Sequence, residues 1–192
     1  FQLYNNFKFR FCGVSMGKKE RSSSGSGIFG PATLAIHAGE SPDPATGALS
    51  PNITMSAAFK LPEFGGGLFN ALTMESPDAP FAYVRWGNPS AKALEDKVAA
   101  LEGGGAALAL ASGMAAVSAL LFTMLKSGDH VITSDVCYAG TQELFGKHLP
   151  RFGVEVSMVN TGDVRSVERV IRENTRLIYI ETPANPILRL AD

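Results

Sequence analysis

The residues best placed to do chemistry begin with Ala111-Ser112-Gly113-Met114-Ala115-Ala116, where an apolar run gives way to a helical pattern. A helix start leaves backbone N–H groups unpaired and carries partial positive charge, so a small turn there can receive an anion. Gly113 admits a phosphate closely, and Ser112 can cap the helix or add a hydroxyl donor. A Ser-Gly pair between strand and helix is by itself ordinary punctuation. Tyr138, in Asp135-Val136-Cys137-Tyr138-Ala139-Gly140-Thr141, could lay its ring over a planar ligand. On local grounds alone a surface or core tyrosine is the simpler reading. Tyr83 and Arg85 stand two residues apart, so on an extended backbone they project to one side and could clamp a phosphate. A solvated arginine beside a packing tyrosine is the alternative. For Cys137 a small buried residue is preferred over a nucleophile.

The elements that must position these residues follow a regular grammar after Asn88-Pro89-Ser90. Ser90 caps a predicted helix carrying Leu94, Val98 and Leu101, closed by the glycines at 103–105. Ala106 to Ala111 reads as a short apolar strand, Met114 to Lys126 as a buried helix closed by Gly128, and His130 to Ser134 as a strand. Thr141 to Leu149 is a predicted helix stopped by Pro150, and Val154 to Val159 a strand. Asp163 to Arg172 is a predicted helix with Val164, Val167, Val170 and Ile171 inward, and Leu177 to Ile180 a strand. Strands alternating with helices imply an α/β fold with a mostly parallel sheet flanked by helices, whose ligands sit at the carboxyl ends of strands. The segments at Ser112–Met114, Asp135–Thr141 and Glu181–Pro186 should therefore line one rim.

Three regions are expected: a basic Ser/Gly tail over 1–30, an extended arm over 31–85 rich in Pro, Gly, Ser and Ala, and the α/β region over 86–192. The tail reads as disordered; its basic, acid-poor character suits a targeting peptide or translated sequence ahead of a start at Met16. Met16-Gly17 lacks the later Ser or Thr of a myristoylation site, since Arg21 stands there. The chain has 192 residues, 45% hydrophobic and 18% charged, which suits a globular protein. A net charge of -1 gives no electrostatic case for nucleic acid. No apolar run is long enough to span a membrane. Cys12 and Cys137 share no metal-ligand or redox spacing, and a cytoplasmic location is expected.

Six motifs occur in a telling order. They are Tyr83-x-Arg85-x-x-Asn88-Pro89, Ala111 to Ala116, Ser127-Gly128-Asp129-His130, Tyr138-x-Gly140-Thr141, Leu149-Pro150-Arg151-Phe152-Gly153, and Glu181-Thr182-Pro183-x-Asn185-Pro186. With His37-Ala38-Gly39 and Ser50-Pro51-Asn52-Ile53, they make the chain resemble, from about Ala35 to Asp192, the Cys/Met-metabolism (trans-sulfuration) family of pyridoxal-phosphate enzymes. The resemblance implies the N-terminal part of a fold-type-I large domain preceded by an arm, with pyridoxal 5'-phosphate as cofactor and no metal. It implies that Gly113 and Met114, beside Ser112, hold the phosphate, and that Tyr138 stacks on the ring and exchanges protons near the leaving group. Tyr83 and Arg85 would reach the phosphate of a neighbouring subunit, Asn185 would lie near the phenolic oxygen and substrate carboxylate, and Glu181 would support that edge. The implied substrate is a thioether amino acid or activated homoserine, in a homo-oligomer built as a dimer of dimers.

The family's lysine for the cofactor aldehyde and its aspartate for the ring nitrogen lie beyond the Asn-Pro motif, and this chain runs only six residues past Pro186. Phe1 is not a methionine, and Asp192 follows an apolar run with no stop signal, so both ends read as cut. Lys126 and Lys147 read as solvent-facing, and the polypeptide alone is expected to be inactive. The preferred reading is a C–S lyase acting on cystathionine or a related thioether. The alternatives are a γ-replacement enzyme (cystathionine γ-synthase or O-acetylhomoserine sulfhydrylase) and a non-catalytic polypeptide that pairs with full-length subunits.

Overall fold

The computed structural model describes residues 29–61 and 80–191. The tail up to residue 28 and the arm over 62–79 lie outside the described residues. Packing divides the chain into two compact units, Phe1–Ala107 and Leu108–Asp192.

Among its described residues the first unit consists of hydrogen-bonded turns and two helices, α1 (Pro31–His37) and α2 (Pro89–Glu102). Gly39, at φ +73°, lets the chain after α1 lie on α2, since a Cβ there would stand 2.6 Å from the Ala93 carbonyl oxygen. Lys97 then reaches back to the Ile36 carbonyl at 3.2 Å and pairs with Glu40. The cap of α2 is Asn88 and not Ser90: the Asn88 side chain accepts from the Ser90 amide at 2.8 Å. Ser90 instead ties the arm to the helix, its hydroxyl accepting from the Thr54 amide at 2.9 Å. Asn88 Nδ2 adds a bond to the Thr54 carbonyl at 3.1 Å. Gly103 closes α2 in the left-handed conformation, as the glycine run predicts.

In the second unit, α3 (Gly113–Met124), β1 (His130–Ser134), α4 (Ala139–Glu143), β2 (Glu155–Val159), α5 (Val164–Glu168) and β3 (Thr175–Tyr179) follow in order. The strands form a three-stranded sheet in the order β2-β1-β3, both pairings parallel. Central β1 is buried along its whole length. Leu121, Leu125, Val131, Phe145, Leu149 and Val154 pack between the sheet and the helices as the core. His130, fully buried, joins all three strands: its ring nitrogens lie 2.8 Å from Thr175 Oγ1 and 2.9 Å from Ser157 Oγ.

Several sequence expectations are corrected here. Ala106 to Ala111 is not a strand: no strand among the described residues pairs with it, and Leu108 and Leu110 are exposed. In α3 only Leu121 is fully buried, and Phe122 faces solvent. Pro150 does not stop the helix after Tyr138. That helix widens into a π turn over Leu144–His148 and tightens into a 3₁₀ turn over Leu149–Phe152, with the proline at its start where no N–H is needed. The widening brings Leu144, Phe145 and Leu149 inward together. α5 ends at Glu168 rather than Arg172, and Val164 and Ile171 are exposed, because the 3.6-residue period breaks where the chain turns after Glu168.

Candidate functional site

The rim at the carboxyl ends of the strands begins at α3. Ser112 caps it, its hydroxyl oxygen accepting from the Ala115 amide at 3.1 Å. The Ala116 amide bonds to the Ser112 carbonyl, leaving the Gly113 and Met114 amides without a partner among the described residues. Two N–H groups at a helix start with nothing to satisfy them form an anion cup. The hydroxyl accepts in the cap and keeps its own proton for donation.

The loop after β1 meets this cup. Thr141 Oγ1 lies 3.8 Å from Met114 Sδ. A Cβ on Gly140 would stand 2.8 Å from Tyr138 Cε1 and 3.2 Å from Met114 Sδ, so the missing side chain is what lets the Tyr138 ring and Met114 flank the same point. The Tyr138 ring is half exposed. Its backbone is fixed from the loop after β3: the Tyr138 amide donates to Glu181 Oε2 at 2.7 Å, while Tyr179 Oη donates to Glu181 Oε1 at 3.1 Å. Burial pushes the Tyr179 phenol up to about 12, with the Glu181 charge acting in the same direction. Glu181 thus holds the loop that carries Tyr138. Tyr179, which sequence reasoning missed, follows the same two-residue spacing rule that was applied to Tyr83 and Arg85.

Cys137 is buried beside this junction, and its thiol is pushed up to about 11 by burial, with help from Glu181 and Asp135. Enclosure and the upward shift of the thiol both suit a packing residue. Asn185 lies exposed in the turn between Ala184 and Arg189. The structure thus brings Ser112, Gly113, Met114, Tyr138 and Glu181 together and leaves Asn185 on the neighbouring turn.

In the first unit, Tyr83 and Arg85 do not share an extended strand. Tyr83 forms an isolated antiparallel bridge with Ala58, and the chain turns at once, the Trp86 amide bonding to the Tyr83 carbonyl at 2.9 Å. The turn nevertheless brings the two side chains together, with the Arg85 guanidinium 5.3 Å from the Tyr83 ring centroid. Both are exposed.

The donor set fits a phosphorylated planar ligand: two free amides at a helix start and an aromatic face across one glycine. No lysine among the described residues of this unit joins it. Lys126 follows the far end of α3, about 18 Å from the cup by helix rise. Lys147 pairs with Glu143 on an exposed face. No cluster of three or more metal-ligating side chains occurs among the described residues.

Comparison with known proteins places the chain in a family. The family model for Cys/Met metabolism PLP-dependent enzymes matches residues 32–192. A cystathionine gamma-synthase of Mycobacterium tuberculosis is 45% identical over 166 residues, covering 86% of this chain and 40% of that protein. An L-methionine gamma-lyase of Fusobacterium nucleatum is 44% identical over 162 residues, covering 83% of this chain and 40% of that protein. The crystal structure of metB from Corynebacterium glutamicum superposes with a TM-score of 0.74 at 37% identity, covering 86% of this chain and 40% of that one. The chain thus spans about 40% of the length of the relatives it matches. By motif order, parallel sheet and family match together, the chain belongs to the Cys/Met-metabolism family of pyridoxal-phosphate-dependent enzymes.

Proposed function

We propose that this chain supplies the phosphate cup and ring-stacking face of a pyridoxal-phosphate site for C–S bond cleavage in a thioether amino acid such as cystathionine. The observation that carries it is the start of α3, whose Gly113 and Met114 amides lack a partner among the described residues, together with the approach of the Met114 sulfur and the Tyr138 ring to one point at Gly140. The amides bind the phosphate, and Ser112 holds their helix start while donating its own proton. Tyr138 orients the ring by stacking, and its phenol hydroxyl moves a proton near the departing sulfur. Glu181 keeps the Tyr138 backbone in place through the 2.7 Å bond. When bound, the cofactor supplies an electron sink for the substrate α-carbon. Tyr83 and Arg85, already in contact in their turn, would serve the phosphate of a second copy in a homo-oligomer. Replacement at the γ-carbon is the second reading, supported by the cystathionine gamma-synthase at 45% identity beside the gamma-lyase at 44%.

We further propose that the 192-residue polypeptide alone binds the cofactor non-covalently and does not turn over substrate, because no lysine among the described residues of its rim stands at the cup. Titration of the purified chain with pyridoxal phosphate and with pyridoxal tests both points. The phosphorylated form is expected to bind and the unphosphorylated one to bind far more weakly, with Tyr138→Ala reducing affinity about tenfold. Equal affinity for the two would sink the cup assignment. Borohydride reduction followed by peptide mass mapping should find no cofactor on Lys126 or Lys147. A stoichiometric adduct on either, with thiol released from cystathionine, would overturn the inactive reading.

A further inference from the structure

The loops after β1 and β3 hold each other by reciprocal carboxylates. Glu181, after β3, accepts the Tyr138 amide from the loop after β1. In the opposite sense Asp135, after β1, is ion-paired by Arg189 from the loop after β3. The same Arg189 nitrogen also donates to Asn160 Oδ1, just past β2, at 3.2 Å. One guanidinium therefore gathers the carboxyl ends of all three strands, a task that suits its planar set of donors.

The backbone around it is drawn tight. The Ala184 amide donates to the Arg189 carbonyl at 2.8 Å, the Leu188 amide to the Ala184 carbonyl at 2.7 Å, and the Ala191 amide to Thr182 Oγ1 at 3.2 Å. Leu188 is held at φ +54°, a left-handed conformation that a leucine keeps only where its surroundings impose it. A Cβ on Gly162 would stand 2.9 Å from the Leu190 carbonyl oxygen, so the loop lies in contact with the turn after β2. Asp135 is itself anchored, its amide bonded to the Val159 carbonyl at 2.8 Å. Asn185 lies within the span that Ala184 and Arg189 close.

We propose that Arg189 is a positioning residue for the cofactor site: by clamping its loop to Asp135 and Asn160 it fixes the turn that carries Asn185 beside the loop that carries Tyr138, on the rim where Gly113 and Met114 would hold a phosphate. The inference rests on the pyridoxal-phosphate reading above. Arg189 acts through the turn and does not touch the ligand.

The test uses the 192-residue chain with Arg189→Gln, Arg189→Lys, and the exchanged pair Asp135→Arg with Arg189→Asp. Two readouts are taken: amide hydrogen exchange, and affinity for pyridoxal phosphate against inorganic phosphate. In Arg189→Gln the Ala184, Leu188 and Ala191 amides are expected to exchange about tenfold faster while β1 amides stay unchanged. Pyridoxal-phosphate affinity should fall by a similar factor and inorganic-phosphate affinity should hold. Arg189→Lys should recover part of both effects, and the exchanged pair more. Unchanged exchange in the loop, equal acceleration in β1, or equal loss for the two ligands would overturn the role. If the unsubstituted chain binds neither ligand, the cofactor reading fails and the positioning role with it, a result separable from failure in Arg189→Gln alone.

Discussion

At the scale of single residues, the rim depends on an absence and the core carries one unpaid hydroxyl. Gly140 leaves room for the Tyr138 ring and the Met114 sulfur, both flexible enough to shift if a methyl is added. Gly140→Ala is therefore expected to cost about 1 kcal/mol or less in stability yet weaken pyridoxal-phosphate binding clearly, because the displaced ring is the stacking face. Paired denaturant melts and ligand titrations check this, and proportionate losses would argue against it. Thr133, on β1 and on the same side as core residue Val131, has a buried hydroxyl with no partner among the described residues. Thr133→Val keeps the shape and removes the unsatisfied group, so the urea midpoint should rise, by about 1 kcal/mol in free energy. A lower midpoint would mean that the hydroxyl has a partner in solution.

At the scale of elements, α3 separates two jobs that one serine performs. Ser112→Ala loses the cap bond to the Ala115 amide and should cost about 1 kcal/mol of stability. Ser112→Asp keeps a cap and adds a charge favourable to the helix dipole, so stability should hold while anion binding falls sharply. Retained phosphate affinity in that variant would place the anion elsewhere. The sheet has its own sensitive point in His130. Burial lowers its pKa from 6.5, with Arg172 acting in the same direction and Glu155 opposing. The folded state thus prefers the neutral ring: its contribution is intact above about pH 6.5 and is lost as pH falls below that value and through the lower folded one. Urea midpoints from pH 7.5 down to 5.5 should fall in the unsubstituted chain and fall less steeply in His130→Asn. The elements were legible where local chemistry and tertiary partner agreed, as in His130–Ser134, whose predicted bounds match the strand. They were not legible where a partner decides, since Ala106 to Ala111 has strand composition but is assigned to no strand among the described residues, nor where geometry is irregular, as in the π turn after Glu143. The site shows the same division. Ser112 and Gly113 were readable from helix-start chemistry, whereas the hold of Glu181 on Tyr138 spans 43 residues and leaves no local trace.

At the scale of the whole molecule, the two units differ in what holds them. Every buried hydrophobic side chain among the described residues lies between Leu121 and Ala184, while in the first unit Leu49, Ile53 and Met55 are exposed. Among the described residues that unit is held by turns, ion pairs and the Phe59–Phe81 ring contact, and such contacts are individually weak. Limited trypsin digestion should therefore cut after Lys60 and Arg85 before it cuts after Arg176 in β3. The reverse order would show that the first unit has protection beyond its described contacts. The parallel order β2-β1-β3 has a further meaning in time. β1 leaves the ribosome first but sits in the middle, with His130 registered against Glu155 and Thr175. Its first neighbour arrives only some 25 residues later and its second about 45 later. During synthesis the most buried strand is thus the one that waits longest for its partners, and the nascent chain must keep that unpaired backbone from other chains until β3 has emerged.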